Sequence, residues 1–156
     1  MVTAFALVLA LSLASEKEIG ISLTNNGSEE ILIPIGMRLG TGDHANLFAL
    51  KIRASDGKAR RVIHTGVGAI AGYVETLTVG LRAGETYVVK VPMDHYYVLD
   101  GSEKLAVFLK RKCEVWVELE IKPNQCPAAA KLDSLRMKLP CWTGRAESEK
   151  VKAGGW

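Results

Sequence analysis

The sequence predicts an all-β domain, an antiparallel Greek-key sandwich with a short C-terminal helical or irregular tail, and three observations carry that expectation. Apolar and polar side chains alternate with a period of two as far as Ile121. Turn residues, mainly Gly, Asn, Asp and Ser, recur between the alternating runs. In one run Cys113, Val115, Val117, Leu119 and Ile121 make an apolar face while Glu114, Trp116, Glu118 and Glu120 occupy the other. Such a strand must lie on a core with its back to water, which requires a second sheet.

The elements follow in order. Phe5, Leu7, Leu9, Leu11 and Leu13 alternate with small residues and suit a first strand. The same stretch admits a second reading, a leader cleaved after Ser12-Leu13-Ala14, although no Lys or Arg precedes Lys17. The strand reading is preferred. Localisation turns on the choice: secreted or periplasmic if residues 1–14 are a leader, otherwise cytoplasmic. Ile19, Ile21 and Leu23 form the next strand, and Asn25-Asn26-Gly27-Ser28 suits a tight hairpin returning through Ile31, Ile33 and Ile35. Pro34 lacks a ladder donor, so that return strand lies at an edge or ends there.

A glycine-rich loop, residues 36–46, precedes a strand through Phe48, Leu50 and Ile52, and Ser55-Asp56-Gly57 turns it back into Arg60 to His64. A second glycine-rich loop, residues 65–72, leads to a strand through Leu77, Val79 and Leu81, closed by Ala83-Gly84-Glu85. Thr86 to Val91, Leu105 to Leu109 and Cys113 to Ile121 are expected as three strands of one antiparallel unit. Pro123 and Pro127 then break the sheet. Residues 1–122 are the expected sandwich domain. Residues 123–156 are the expected extension, weakly helical from Ala128 to Leu139 and a mobile tail beyond Trp142.

Composition excludes several functions. The 156 residues suffice for one hydrophobic core, and 20 Lys plus Arg against 17 Asp plus Glu leave a scattered net charge of only +3, so nucleic acid is not an expected partner. The densest basic run, Lys110-Arg111-Lys112, falls where a solvated turn is expected. No run approaches the ~20 apolar residues of a membrane-spanning helix. The three cysteines show no Cys-x-x-Cys spacing, which argues against structural zinc, and no cofactor is expected. Cys126 and Cys141 could close a disulfide, while Cys113 reads as a small buried hydrophobe.

Candidate chemistry is sparse. Asp43-His44 and Asp94-His95 each place a carboxylate next to an imidazole, but neighbours on an extended chain point to opposite faces. Gly66-x-Gly68 lacks the Lys-Ser/Thr and the strand-to-helix setting of a phosphate loop. Tyr96 and Tyr97 suit a structural corner. Trp116 stands among glutamates, so it is either covered by the tail or exposed as a binding anchor. Trp116, His44, Asp43, Gly66 and Gly68 are therefore the candidate binding residues, and no catalytic residue or metal ligand is assigned.

Two stretches carry a resemblance. Leu23-Thr24-Asn25-Asn26-Gly27-Ser28-Glu29-Glu30 resembles the T-N-x-G-x-x hairpin of immunoglobulin-like accessory β-sandwiches. Leu81-Arg82-Ala83-Gly84-Glu85-Thr86, with Tyr96-Tyr97-Val98-Leu99-Asp100 beyond it, resembles the L-x-x-G-E … Y-D-L segment of the same domains. Such domains occur beside deuterolysin-type metallopeptidases and in small bacterial proteinase inhibitors. The peptidase's own His-Glu-x-x-His helix has no counterpart among His44, His64 and His95. The resemblance, spanning Ala4 to Ile121, implies a non-catalytic accessory or structural module with a protein partner. The alternative is a proteinase inhibitor acting through loop 36–46 or loop 65–72.

Overall fold

A computed structural model describes residues 7–13, 15, 17–38, 44–64, 75–94, 96–98, 103–126 and 139–154. They form an all-β, sandwich-like fold of antiparallel sheets. The first sheet runs β1 (Leu7–Ser12), β2 (Glu18–Asn25) and, from far along the chain, β8 (Thr86–Pro92), in that order. The second has β3 (Ile31–Arg38) between β4 (His44–Asn46) and β7 (Glu75–Leu81). The largest runs through β10 (Glu103–Lys104), β9 (Tyr96–Val98), β6 (Ala59–His64), β5 (Phe48–Ala54) and β11 (Cys113–Ile121). It ends on β12 (Gly144–Glu147) and β13 (Val151–Ala153), which both pair with β11.

Period-two alternation sets the core. Leu9 and Leu11 of β1, Ile19, Ile21 and Leu23 of β2, Phe48, Leu50 and Ile52 of β5 and the odd-numbered face of β11 are buried in one cluster. Strand β1 packs across β11 and β12, which places the first sheet over the largest one. The apolar alternation of residues 7–12 thus forms a core strand on β2.

The turn at Asn25 to Ser28 does not close a hairpin. Strand β2 pairs with β1 and β8, whereas β3 pairs with β4 and β7, so the chain changes sheet at this turn. The turn at Ala83-Gly84 between β7 and β8 makes the reverse change, with Gly84 at φ 76°. Buried Asn25 joins the two. Its Nδ2 donates to the Glu29 carbonyl at 2.7 Å and the Leu81 carbonyl at 3.0 Å, and its Oδ1 accepts from Gly27 N–H at 2.9 Å. Gly84 N–H donates to the Asn25 carbonyl at 2.7 Å.

Two further expectations change, and the alternatives left open at Pro34 are decided. Leu105–Phe108 is one helical turn, α1, and not a strand; Leu105, Phe108 and Leu109 are the buried residues, at helical spacing. Strands β8 and β11 lie in different sheets, so the run from Thr86 to Ile121 is no single unit. Strand β3 does not end at Pro34. It continues to Arg38 through a register shift, while Leu32, two residues earlier, turns its N–H and carbonyl to Pro140 and Trp142. Pro34 shares that side, away from the β7 ladder, where a missing donor costs no strand pairing.

The residues expected as a mobile tail are strands. Gly144–Glu147 and Val151–Ala153 extend the sheet along β11, and Trp142 is buried in the core. The expected helix from Ala128 to Leu139 lies, except for Leu139, outside the described residues. Among the described residues no helix is long and apolar enough to cross a membrane.

Candidate interaction surface

Of the residues singled out for binding, Asp43, Gly66 and Gly68 lie outside the described residues, as do residues 39–43 of the first glycine-rich loop and all of the second; residues 36–38 and 44–46, expected as loop, belong to β3 and β4. The backbone of His44 belongs to β4, and His95 is outside the described residues. Trp116 is covered. Only 5% of it is exposed, with the Arg53 guanidinium 5.6 Å from the ring centroid and Lys150 Nζ 5.3 Å away. It is therefore not an open anchor.

What covers it is a bulge in the tail. Glu118 faces Glu147, and Ser148 N–H donates to the Val117 carbonyl, but Val115 already faces Val151. Two tail residues, Glu149 and Lys150, thus oppose the single Trp116. Buried Ser148 repairs the ladder there, its Oγ accepting from Val117 N–H at 3.0 Å. Beside the indole, Glu118 pairs with Lys51 at 2.8 Å and Arg145 at 3.1 Å. Burial alone would raise the Glu118 carboxyl, but bonds from Lys51, then Arg145 and the Trp116 indole N–H, outweigh it and hold the group below its ordinary value.

The cysteines divide as their positions imply. Cys126 and Cys141 are joined in a disulfide, and Cys113 is a buried free thiol whose pKa burial pushes up, which suppresses the reactive thiolate.

A different surface emerges on the first sheet. Pairing aligns its outward residues in rows across β1, β2 and β8: Val8, Thr24 and Thr86; then Ala10, Ser22 and Val88; then Ser12, Gly20 and Lys90; then Glu18 and Pro92. Charge is confined to Glu18 and Lys90 at one end. The rest is small, hydroxylic or apolar, in a chain of which 24% is charged. Val8 is 45% exposed and Val88 51%, the largest apolar exposure on this face. The Thr24 and Thr86 hydroxyls bond each other at 2.8 Å, which leaves less polar capacity to be stripped of water by a partner.

This face ends on an open edge. Among the described residues β8 pairs only with β2. Thr86, Tyr87 and Val88 are consecutively exposed, so side chains on both faces of the strand meet solvent, Tyr87 at 42%. Antiparallel pairing occupies alternate backbone groups of β8 and leaves the intervening N–H and carbonyl groups directed outward. No family model matches the chain, and no curated protein matches it.

The sequence carried the parts of this surface without their assembly. The uncharged run Leu7-Val8-Leu9-Ala10-Leu11-Ser12 marks β1 as a strand, yet nothing local says that β8 joins the same sheet through β2.

Proposed function

We propose that the protein is a non-catalytic protein-binding module of the β-sandwich class. It takes an extended segment of a partner polypeptide along the free edge of β8. The observation that supports this is the exposed Thr86-Tyr87-Val88 edge continuing into an uncharged three-stranded face. An added strand would satisfy the outward backbone groups of β8, while its side chains pack beside Val88 on one face and Tyr87 on the other. Lys90 and Pro92 limit pairing at the far end of β8, since a buried ammonium is costly and proline has no donor. Recognition is thereby centred on the first half of the strand.

Site-specific photo-crosslinking tests the reading. A benzophenone amino acid at Tyr87, irradiated in extract of the source cells, is expected to give a discrete polypeptide adduct that Val88→Lys removes. The same probe at Arg145, on the largest sheet, is expected to give none. Equal capture at both positions, or an adduct indifferent to Val88→Lys, overturns the assignment.

A further inference from the structure

A second site lies on the largest sheet. Lys152, Glu114 and Arg53 stand opposite one another across β13, β11 and β5, in one row. With Lys112, from the turn before β11, they line a cavity of about 430 Å³, and the neighbouring row Ala54, Cys113 and Ala153, whose side chains turn to the core, lines it between them. That volume falls in the range of about 300–1,000 Å³ typical of small-molecule sites.

Three features mark the cavity as an anion site. Three cationic side chains meet a single carboxylate, so at least two positive charges remain uncompensated. None of the four groups joins an ion pair among the described residues, although Glu114 is flanked directly by Lys152 and Arg53. Arg53 is also held in place: its guanidinium stacks over Trp116, and its buried Nε has no hydrogen-bond partner among the described residues. The backbone fixes the other wall. A Cβ on Gly154 would fall 2.5 Å from the Arg111 carbonyl oxygen, so the end of β13 packs directly on the turn bearing Lys112.

The geometry points to a small organic carboxylate as the ligand. The planar guanidinium fork of Arg53 matches a carboxylate, Lys112 and Lys152 supply further charge, and a short aliphatic body would lie along the methylene stems of the two lysines. Glu114, in the middle of the row, opposes a dianion more strongly than a monoanion, which favours carboxylate over phosphate.

The Trp116 indole N–H signal in ¹H–¹⁵N spectra, assigned with Trp116→Phe, reports on the guanidinium above it. Titration with butanoate at constant ionic strength is expected to shift this signal saturably. Arg53→Gln should weaken binding about tenfold or more, the loss expected of one charge-assisted hydrogen-bonded pair. Arg53→Lys, which keeps the charge and loses the fork, should weaken it less, and Lys112→Gln with Lys152→Gln should also weaken it. Lys122→Gln, just past the far end of β11, should bind as the wild type does. Linear shifts matching those from sodium chloride, or unchanged binding in both Arg53→Gln and the double lysine variant, overturn the site. Saturation by inorganic phosphate without saturation by butanoate overturns the carboxylate assignment.

Discussion

Asn25 shows how one side chain can hold two sheet changes together. It is wholly buried, and its amide bonds to three backbone groups on two turns. Truncation leaves the Leu81 and Glu29 carbonyls and the Gly27 N–H unpaired in an interior that water reaches poorly, so Asn25→Ala should cost about 2–4 kcal/mol. Asn25→Asp should cost at least as much, because a carboxylate cannot donate to either carbonyl. Urea unfolding measures both, and a loss below about 0.5 kcal/mol for Asn25→Ala would refute the role. Glu118 makes a pH-dependent contribution. Its folded-state pKa is depressed, so the stability it adds is present above the carboxylate's unfolded value, near 4.5, and is lost as pH falls through the lower folded value. Wild-type stability should therefore decline below about pH 5 more steeply than that of Glu118→Gln, the curves converging at the acid end. Parallel curves would mean that the carboxylate is not stabilised. Asn25 was conspicuous in the sequence as a turn residue. Its burial was not, because a polar side chain is buried only where tertiary contacts satisfy it.

At the scale of elements, legibility followed pattern length. Strand β11 displays nine residues of alternation and β2 eight, long enough for the pattern alone to mark both as strands with their odd-numbered residues inward. Leu105 to Leu109 spans too few residues to separate a period of two from one of 3.6, and the chain takes the helical solution that buries Leu105, Phe108 and Leu109 together. The tail looked polar throughout, as edge strands do when one face meets solvent. Two glycines distinguish strain from packing in such elements. Gly84 adopts φ 76° with open space around its missing Cβ, whereas Gly154 adopts φ 102° with the Arg111 backbone within 2.5 Å of where a Cβ would stand. Gly84→Ala should therefore cost about 1–2 kcal/mol, the conformational term alone. Gly154→Ala should cost more and should detach β13, seen as faster amide exchange at Cys113 and Val115. Equal costs with unchanged exchange would mean that β13 is not anchored by this contact.

Across the whole molecule, the connections invisible to local pattern are those between segments far apart in the chain. The rows of the first sheet need β8, which enters six strands after β2, and the cavity around Arg53 draws on β5, β11 and β13. The Cys126 to Cys141 disulfide is the covalent member of this set, and its consequences extend beyond its own loop. Cys141 stands beside Leu32 in a parallel bridge; Leu32 N–H donates to the Pro140 carbonyl at 2.9 Å, and Trp142 N–H donates to the Leu32 carbonyl at 2.8 Å. The bond thus ties the chain just past β11 to the flank of β3, and Trp142 enters the core immediately before β12 begins. A crosslink between residues 15 apart restricts the unfolded chain by about 3 kcal/mol, so Cys126→Ser with Cys141→Ser should lower stability by roughly that amount. The extra slack should also reach the tail strands and raise amide exchange along Glu118 to Ile121 before global unfolding. Cys113 provides an independent reading. Buried and held protonated, it should resist thiol reagents in the native protein and react in the double variant more rapidly, in proportion to the increased population of open states. A variant that loses less than about 1 kcal/mol, with Cys113 as unreactive as in the wild type, would show that backbone pairing at Leu32 holds the tail without the disulfide.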